Sequence, residues 1–191
     1  MKKTNKNKIA IIGFDCMVNQ PKNLKSIISK WQNGGPTISV ELTRISKDGR
    51  LTPVIDSNNG SDIKTVFSVL KVKNLNRAIL EVAKRQGITN NDKVGYIDLK
   101  NNLVNGEIFR RQPEATRKIA LWARDNGFNA VVWNGLGVKF KDAINIPFSY
   151  ENAMIYLNSL NRDQKSKAIK YINSLPKFVD TNLRKFIKEN I

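Results

Sequence analysis

The chain has no histidine and a single cysteine, Cys16. One cysteine excludes an intrachain disulfide, and with no histidine a zinc site of Cys and His type is excluded as well. No other metal or cofactor signature is present, so neither is expected. Acidic residues are scarce: 16 Asp and Glu stand against 33 Lys and Arg, a formal charge of +17. Long apolar runs are missing too. None approaches the roughly 20 residues that span a bilayer, so no membrane partner is expected. After the basic "MKKTNKNK" the apolar run Ile9 to Phe14 is too short for a signal peptide, and no small-residue cleavage site follows it. A cytoplasmic protein is the simplest reading.

A charge of +17 suits a nucleic acid or another polyanion. The basic residues are scattered, however, with mild concentration only in "KKTNKNK" and "LRKFIKEN". No arginine-rich run or aromatic-interleaved RNA-binding signature appears. The abundance of Lys, Asn and Ile is also what an AT-rich genome writes wherever a surface tolerates it. Nucleic acid is therefore at most a weak partner.

What is present reads as strands first and helices later. A length of 191 residues with 40% hydrophobic and 26% charged residues fits one soluble globular domain. Ile9–Phe14 is a buried strand that breaks at Gly13. "PTISVELTRIS" alternates Ile38, Val40 and Leu42 against Ser39, Glu41 and Thr43, the period of a strand. Asp48-Gly49 turns it into "RLTPVID", where Pro53 demands an edge or a bulge. "IKTVFSVLKV" and "KVGYIDL" are further strands. "LNRAILEVAKRQG" is a helix ending at Gly87, and Pro113 opens another that carries Ile119, Trp122 and Ala123 inward and stops at Gly127. "NAVVW" is a short strand before the "NGLG" loop. Asn161 and Gln164 resemble a capping box, Pro176 ends that helix, and Asp180 is placed to cap the last one. The expected class is α+β: a small, curved, mostly antiparallel sheet or barrel with a helical C-terminal section. Residues 1–8 are expected to be a basic flexible N-terminus, and 113–191 the mainly helical part of one domain spanning 1–191.

The order "KIAIIGFDCMVNQP", "WQNGGP", "SVELTRISKDGRLTPVID", "TVFSVL", "KRQG" and "GFNAVVWNGLG", with the tail "AMIYLNSL…YINSLP…TNLR", resembles the gamma-glutamylcyclotransferase-like superfamily, in particular a bacterial branch of it. The likeness is one of pattern and order over nearly the whole chain. It implies a small barrel with a central cavity. The loop after the first strand would offer backbone N–H groups to a γ-glutamyl moiety. A glutamate at the end of a helix would shuttle the proton as 5-oxoproline forms. On this chain the loop falls on Gly13, Phe14, Asp15, Cys16 and Met17, and the glutamate position on Gln86.

Both places depart from the superfamily pattern. Asp15 stands where glycine is usual, and Cys16 replaces serine. Gln86 is an amide, with no proton to exchange near neutral pH. Standard cyclotransferase chemistry is therefore lost or uses another carboxylate, and Glu41, in mid-strand, is the obvious substitute. The alternative is that Glu41 faces solvent beside lysines. Cys16 is more simply a small buried residue than a nucleophile, because no histidine base exists to activate it. The Gly34-Gly35-Pro36 turn and Trp133 carry weaker ligand signals. The expectation is a cytosolic protein that binds or processes a small amino-acid or γ-glutamyl compound and is catalytically degenerate. The alternatives are a non-enzymatic interaction protein on the same fold and a basic nucleic-acid-associated protein.

Overall fold

The computed structural model describes residues 7–190. Residues 1–6, most of the segment expected to be a flexible N-terminus, lie outside them. Asn7 and Lys8 are tied down: the Lys8 amide donates to Asn129 Oδ1 at 2.8 Å, and its ammonium lies over the Phe128 ring at 4.3 Å.

The strands are β1 (Ile9–Gly13), β2 (Gln32–Ile45), β3 (Leu51–Ile55), β4 (Ser61–Val69), β5 (Val94–Asp98), β6 (Leu103–Val104) and β7 (Ala130–Asn134). They form one sheet in the order β3-β2-β4-β1-β7-β5-β6. Neighbours are antiparallel except β1 and β7, which run parallel. The sheet is open, with β3 and β6 as its edges, so a closed barrel is replaced by a mostly antiparallel α+β sheet. Pro53 lies in edge strand β3, where its missing N–H costs no ladder bond.

β1 is apolar at every position before its glycine because both its faces are covered. Ala10 and Ile12 pack with Ile38, Val40, Ile119 and Ala123 on the side of α3 (Pro113–Asp125). Ile9 and Ile11 pack with Ala78, Ile79 and Val82 of α1 (Leu75–Gln86) on the other side. Each such aliphatic side chain, fully buried, contributes about 1.5–3 kcal/mol. A third cluster joins Leu42 and Leu51 to the C-terminal helices α4 (Phe140–Ile144), α5 (Tyr150–Ser159), α6 (Arg162–Ser174) and α7 (Asn182–Asn190). The sequence reading passed over α4 and the short α2 (Gly106–Arg111). Among the described residues no helix is long and apolar enough to cross a membrane.

Several local expectations are corrected. Gly34-Gly35-Pro36 is not a turn but an irregularity inside β2, where the pairing with β4 shifts between Asn33 and Thr37. Gly34 takes φ +92°, and a Cβ on Gly35 would sit 2.8 Å from the Thr65 carbonyl oxygen, so both positions favour glycine. Trp122 does turn inward as expected, half buried against the core cluster. It stacks on Phe128 at 5.2 Å, and its indole donates to the Gly34 carbonyl at 2.7 Å. Asp180 does not cap α7; it pairs with Lys185 at 3.3 Å. The first turn of α7 is met instead by Thr181 Oγ1, which accepts from the Arg184 amide, and by Glu41 Oε2, which accepts from the Leu183 amide at 3.2 Å.

Candidate functional site

Because β1 and β7 are parallel, their C-terminal ends emerge on the same side of the sheet. In sheets with parallel strands, that rim is where ligands are commonly held. Asp15 follows β1 by two residues, and Asn134 is the last residue of β7. The last turn of α1 adds Gln86, and Gly87 then turns the chain away in the left-handed conformation at φ +64°.

These three polar side chains meet. Gln86 Nε2 donates to Asp15 Oδ2 at 2.8 Å, and Asn134 Nδ2 donates to the same oxygen at 2.7 Å. The other oxygen, Oδ1, accepts the Met17 amide at 2.7 Å. The carboxylate is almost wholly buried, at 2% exposure. Burial raises its pKa above the usual 3.8, while these hydrogen bonds and the Arg85 guanidinium pull the other way. Once ionised, the carboxylate accepts all three of these donors.

Asp15 forms part of the floor of a cleft of about 620 Å³. The walls are basic: Lys22, Arg44, Lys47, Arg50, Lys84 and Lys93 line them, together with Arg85. Asp48 is the other acidic residue of the lining, and Arg50 engages it at 2.7 Å. Arg44 donates to the Gly137 carbonyl at 3.0 Å and Arg111 to the Gly135 carbonyl at 3.3 Å, both in the loop after β7. Burial lowers the pKa of the Arg44 guanidinium, and the charge of Arg111 lowers it further. The cleft thus concentrates positive charge that the protein leaves largely uncompensated, a field that draws in anions.

The residues singled out from the sequence divide into two groups. Asp15, Cys16 and Gln86 share the cleft, although Asp15 and Gln86 stand 71 positions apart in the chain. Phe14 and Met17 are fully buried core residues, packed in two different clusters. Gly13 is closed over by Val18 and Trp31, whose atoms would lie 2.7 and 2.8 Å from an added Cβ. The loop was also expected to present backbone N–H groups, but the Met17 amide is already taken by Asp15.

Glu41 lies outside the cleft and does not face solvent. It is fully buried, with Oε1 on the Leu42 amide at 2.8 Å and Oε2 at the start of α7. The pairing of β2 with β3 shifts between Glu41 and Arg44, yet the two side chains do not pair: Arg44 faces the cleft and Glu41 the helix.

Cys16 is half buried. Arg85 Nη2 donates to its Sγ at 3.3 Å, while Arg85 Nε holds the Gln20 carbonyl at 2.8 Å. Tyr171 reaches the cleft from α6, with the Arg50 guanidinium stacked 4.5 Å over its ring. Burial, followed by the neighbouring Cys16 and Asp15, raises the pKa of the Tyr171 hydroxyl, so it stays neutral, and Cys16 is a hydrogen-bond neighbour of it. Sequence reasoning missed Asn134, Arg85, Arg44 and Tyr171. Of these only Asn134 left a signal, a polar residue closing the apolar run "AVVW" before a glycine loop.

Comparison with family models, curated proteins and solved structures gives no match for this chain.

Proposed function

We propose that the cleft binds a small amino-acid compound with several negative charges, of the γ-glutamyl type, and that it holds this ligand without rapid cyclisation. One observation carries the reading. The loop and the helix end that resemble a cyclotransferase site close onto each other at Asp15 and Gln86, at the floor of a cleft walled by Lys and Arg. A γ-glutamyl dipeptide has two carboxylates for that wall and an amine for the floor.

The same geometry argues against fast turnover. Gln86 has no proton to shuttle. Asp15 is buried, and both its oxygens are already engaged by three donors. A positioned acid or base typically supplies about 100- to 10,000-fold in rate, and binding alone does not replace it.

The test is calorimetric titration of the full chain with γ-glutamylglycine, alongside an assay for 5-oxoproline. The expected result is salt-sensitive binding with no enzyme-like release of 5-oxoproline. In the double variant Asp15→Asn/Gln86→Glu the carboxylate moves back to the end of α1, and release is expected to appear. Absence of binding by the wild type would overturn the proposal; robust wild-type release would overturn its catalytic half.

A further inference from the structure

The hydrogen bonds at the cleft floor fix more than the position of Gln86; they fix which way its amide points. An amide group has one donating and one accepting end, and structures assign them from the surrounding network. With Asp15 ionised, the network fixes the assignment. Asp15 Oδ2 lies 2.8 Å from the Gln86 amide, and an ionised carboxylate oxygen only accepts. Turning Gln86 over would set two acceptors against each other at that distance. Asn134 cannot trade places, because its own Oδ1 already accepts the Leu136 amide at 3.1 Å. Among the described residues no protein donor reaches Gln86 Oε1, and Gln86 lines the cleft.

Resting on the function proposed above, we infer that Asp15, when ionised, is a positioning residue that locks Gln86 as a hydrogen-bond acceptor, so that the cleft selects anionic ligands which also present an ammonium. Charge gives the lock its purpose. Among walls of Lys and Arg an ammonium is repelled almost everywhere. The floor is the exception, where the Asp15 charge sits directly behind the Gln86 amide. Donating to a carboxylate also polarises that amide, which strengthens its oxygen as an acceptor. The cleft therefore carries two opposite recognition elements: basic walls for carboxylates and one acceptor for the amine.

The test compares two probes on the full chain by calorimetry. γ-Glutamylglycine carries the amine. Glutarylglycine has the same two carboxylates and the same amide, but no amine. The wild type is expected to favour γ-glutamylglycine by at least about tenfold, the scale of one hydrogen bond to a charged group. Gln86→Met keeps the charge of Asp15 and removes the acceptor, and the preference should fall to about one. Asp15→Asn keeps the shape of the side chain and removes the lock, with the same expected loss. Gln86→Met makes the test independent of whether the buried Asp15 variant folds. Equal wild-type affinity for the two probes would overturn the inference while leaving the proposed function standing. A full preference surviving in Gln86→Met would also overturn it, since the charge would then act without the lock. If neither probe bound the wild type, the proposed function would fall, and the inference with it.

Discussion

Glu41 and Asp15 are both buried carboxyl groups whose pKa burial raises. Glu41 accepts from the Leu42 and Leu183 amides, and burial above all raises its pKa beyond the usual 4.5. A raised pKa means that the folded state holds the proton more tightly than the unfolded chain does. The stability this supplies is complete below 4.5 and is lost as the pH rises through the raised value. Glu41→Gln removes the titration and leaves one buried N–H facing an amide NH₂ group, at a cost of about 1–3 kcal/mol. Thermal melts should therefore show the wild type ahead of the variant, with a gap that narrows as the pH rises; a gap that widens would contradict the burial of this carboxyl. Gln86→Glu, although isosteric, brings a second carboxylate to within about 2.8 Å of Asp15. Two such groups cannot both ionise cheaply. Its melting temperature should fall progressively below that of the wild type from about pH 5 to pH 8, and the added Asp15→Asn change should restore most of the loss.

At the scale of elements, the join between α6 and α7 depends on Arg184. Its guanidinium is buried and donates to the carbonyls of Pro176 at 2.7 Å, Val179 at 2.8 Å and Leu175 at 2.9 Å. Arg184→Ala would strand these carbonyls and should lower stability by about 3 kcal/mol or more in urea titration. Arg184→Lys should recover only part, because an ammonium cannot reproduce the fork of the guanidinium. An Arg184→Ala variant as stable as the wild type would mean that the loop has other donors. The helices that were legible in the sequence are those with local signals. Asn161 does cap α6 through the Gln164 amide at 2.9 Å, and Gly87 does end α1 in the left-handed region. The strands β1, β3 and β5 follow from apolar runs and turn residues. The irregularities of β2 were not legible, because a shift of register shows only against a partner strand. The floor of the cleft was half legible: Asp15, Cys16 and Gln86 stand out as departures from a pattern. Asn134, Arg85 and Tyr171 join them only through the parallel pairing of β1 with β7 and the packing of α6, which no local spacing records.

Across the whole molecule the charge of +17 is dispersed, with the cleft as a place where it gathers. Affinity for γ-glutamylglycine should therefore drop as salt is raised, whereas DNA or RNA should bind without sequence preference at about 10⁻⁴ to 10⁻⁶ M at physiological salt. Nanomolar affinity for a defined nucleic acid in an electrophoretic or fluorescence titration would overturn that expectation. The parallel pair at the centre of the sheet also bears on how the protein is made. β1 can pair with its antiparallel neighbour β4 once Val69 has been made, but its other edge stays open until β7, ending at Asn134, leaves the ribosome. For the seconds of elongation in between, a strand of isoleucines is exposed along its hydrogen-bonding edge, which is a template for pairing with another nascent chain. The cleft floor cannot assemble before that edge is closed. The cleft and the protection of the central strand edge are thus completed in one late step, when β7 docks beside β1.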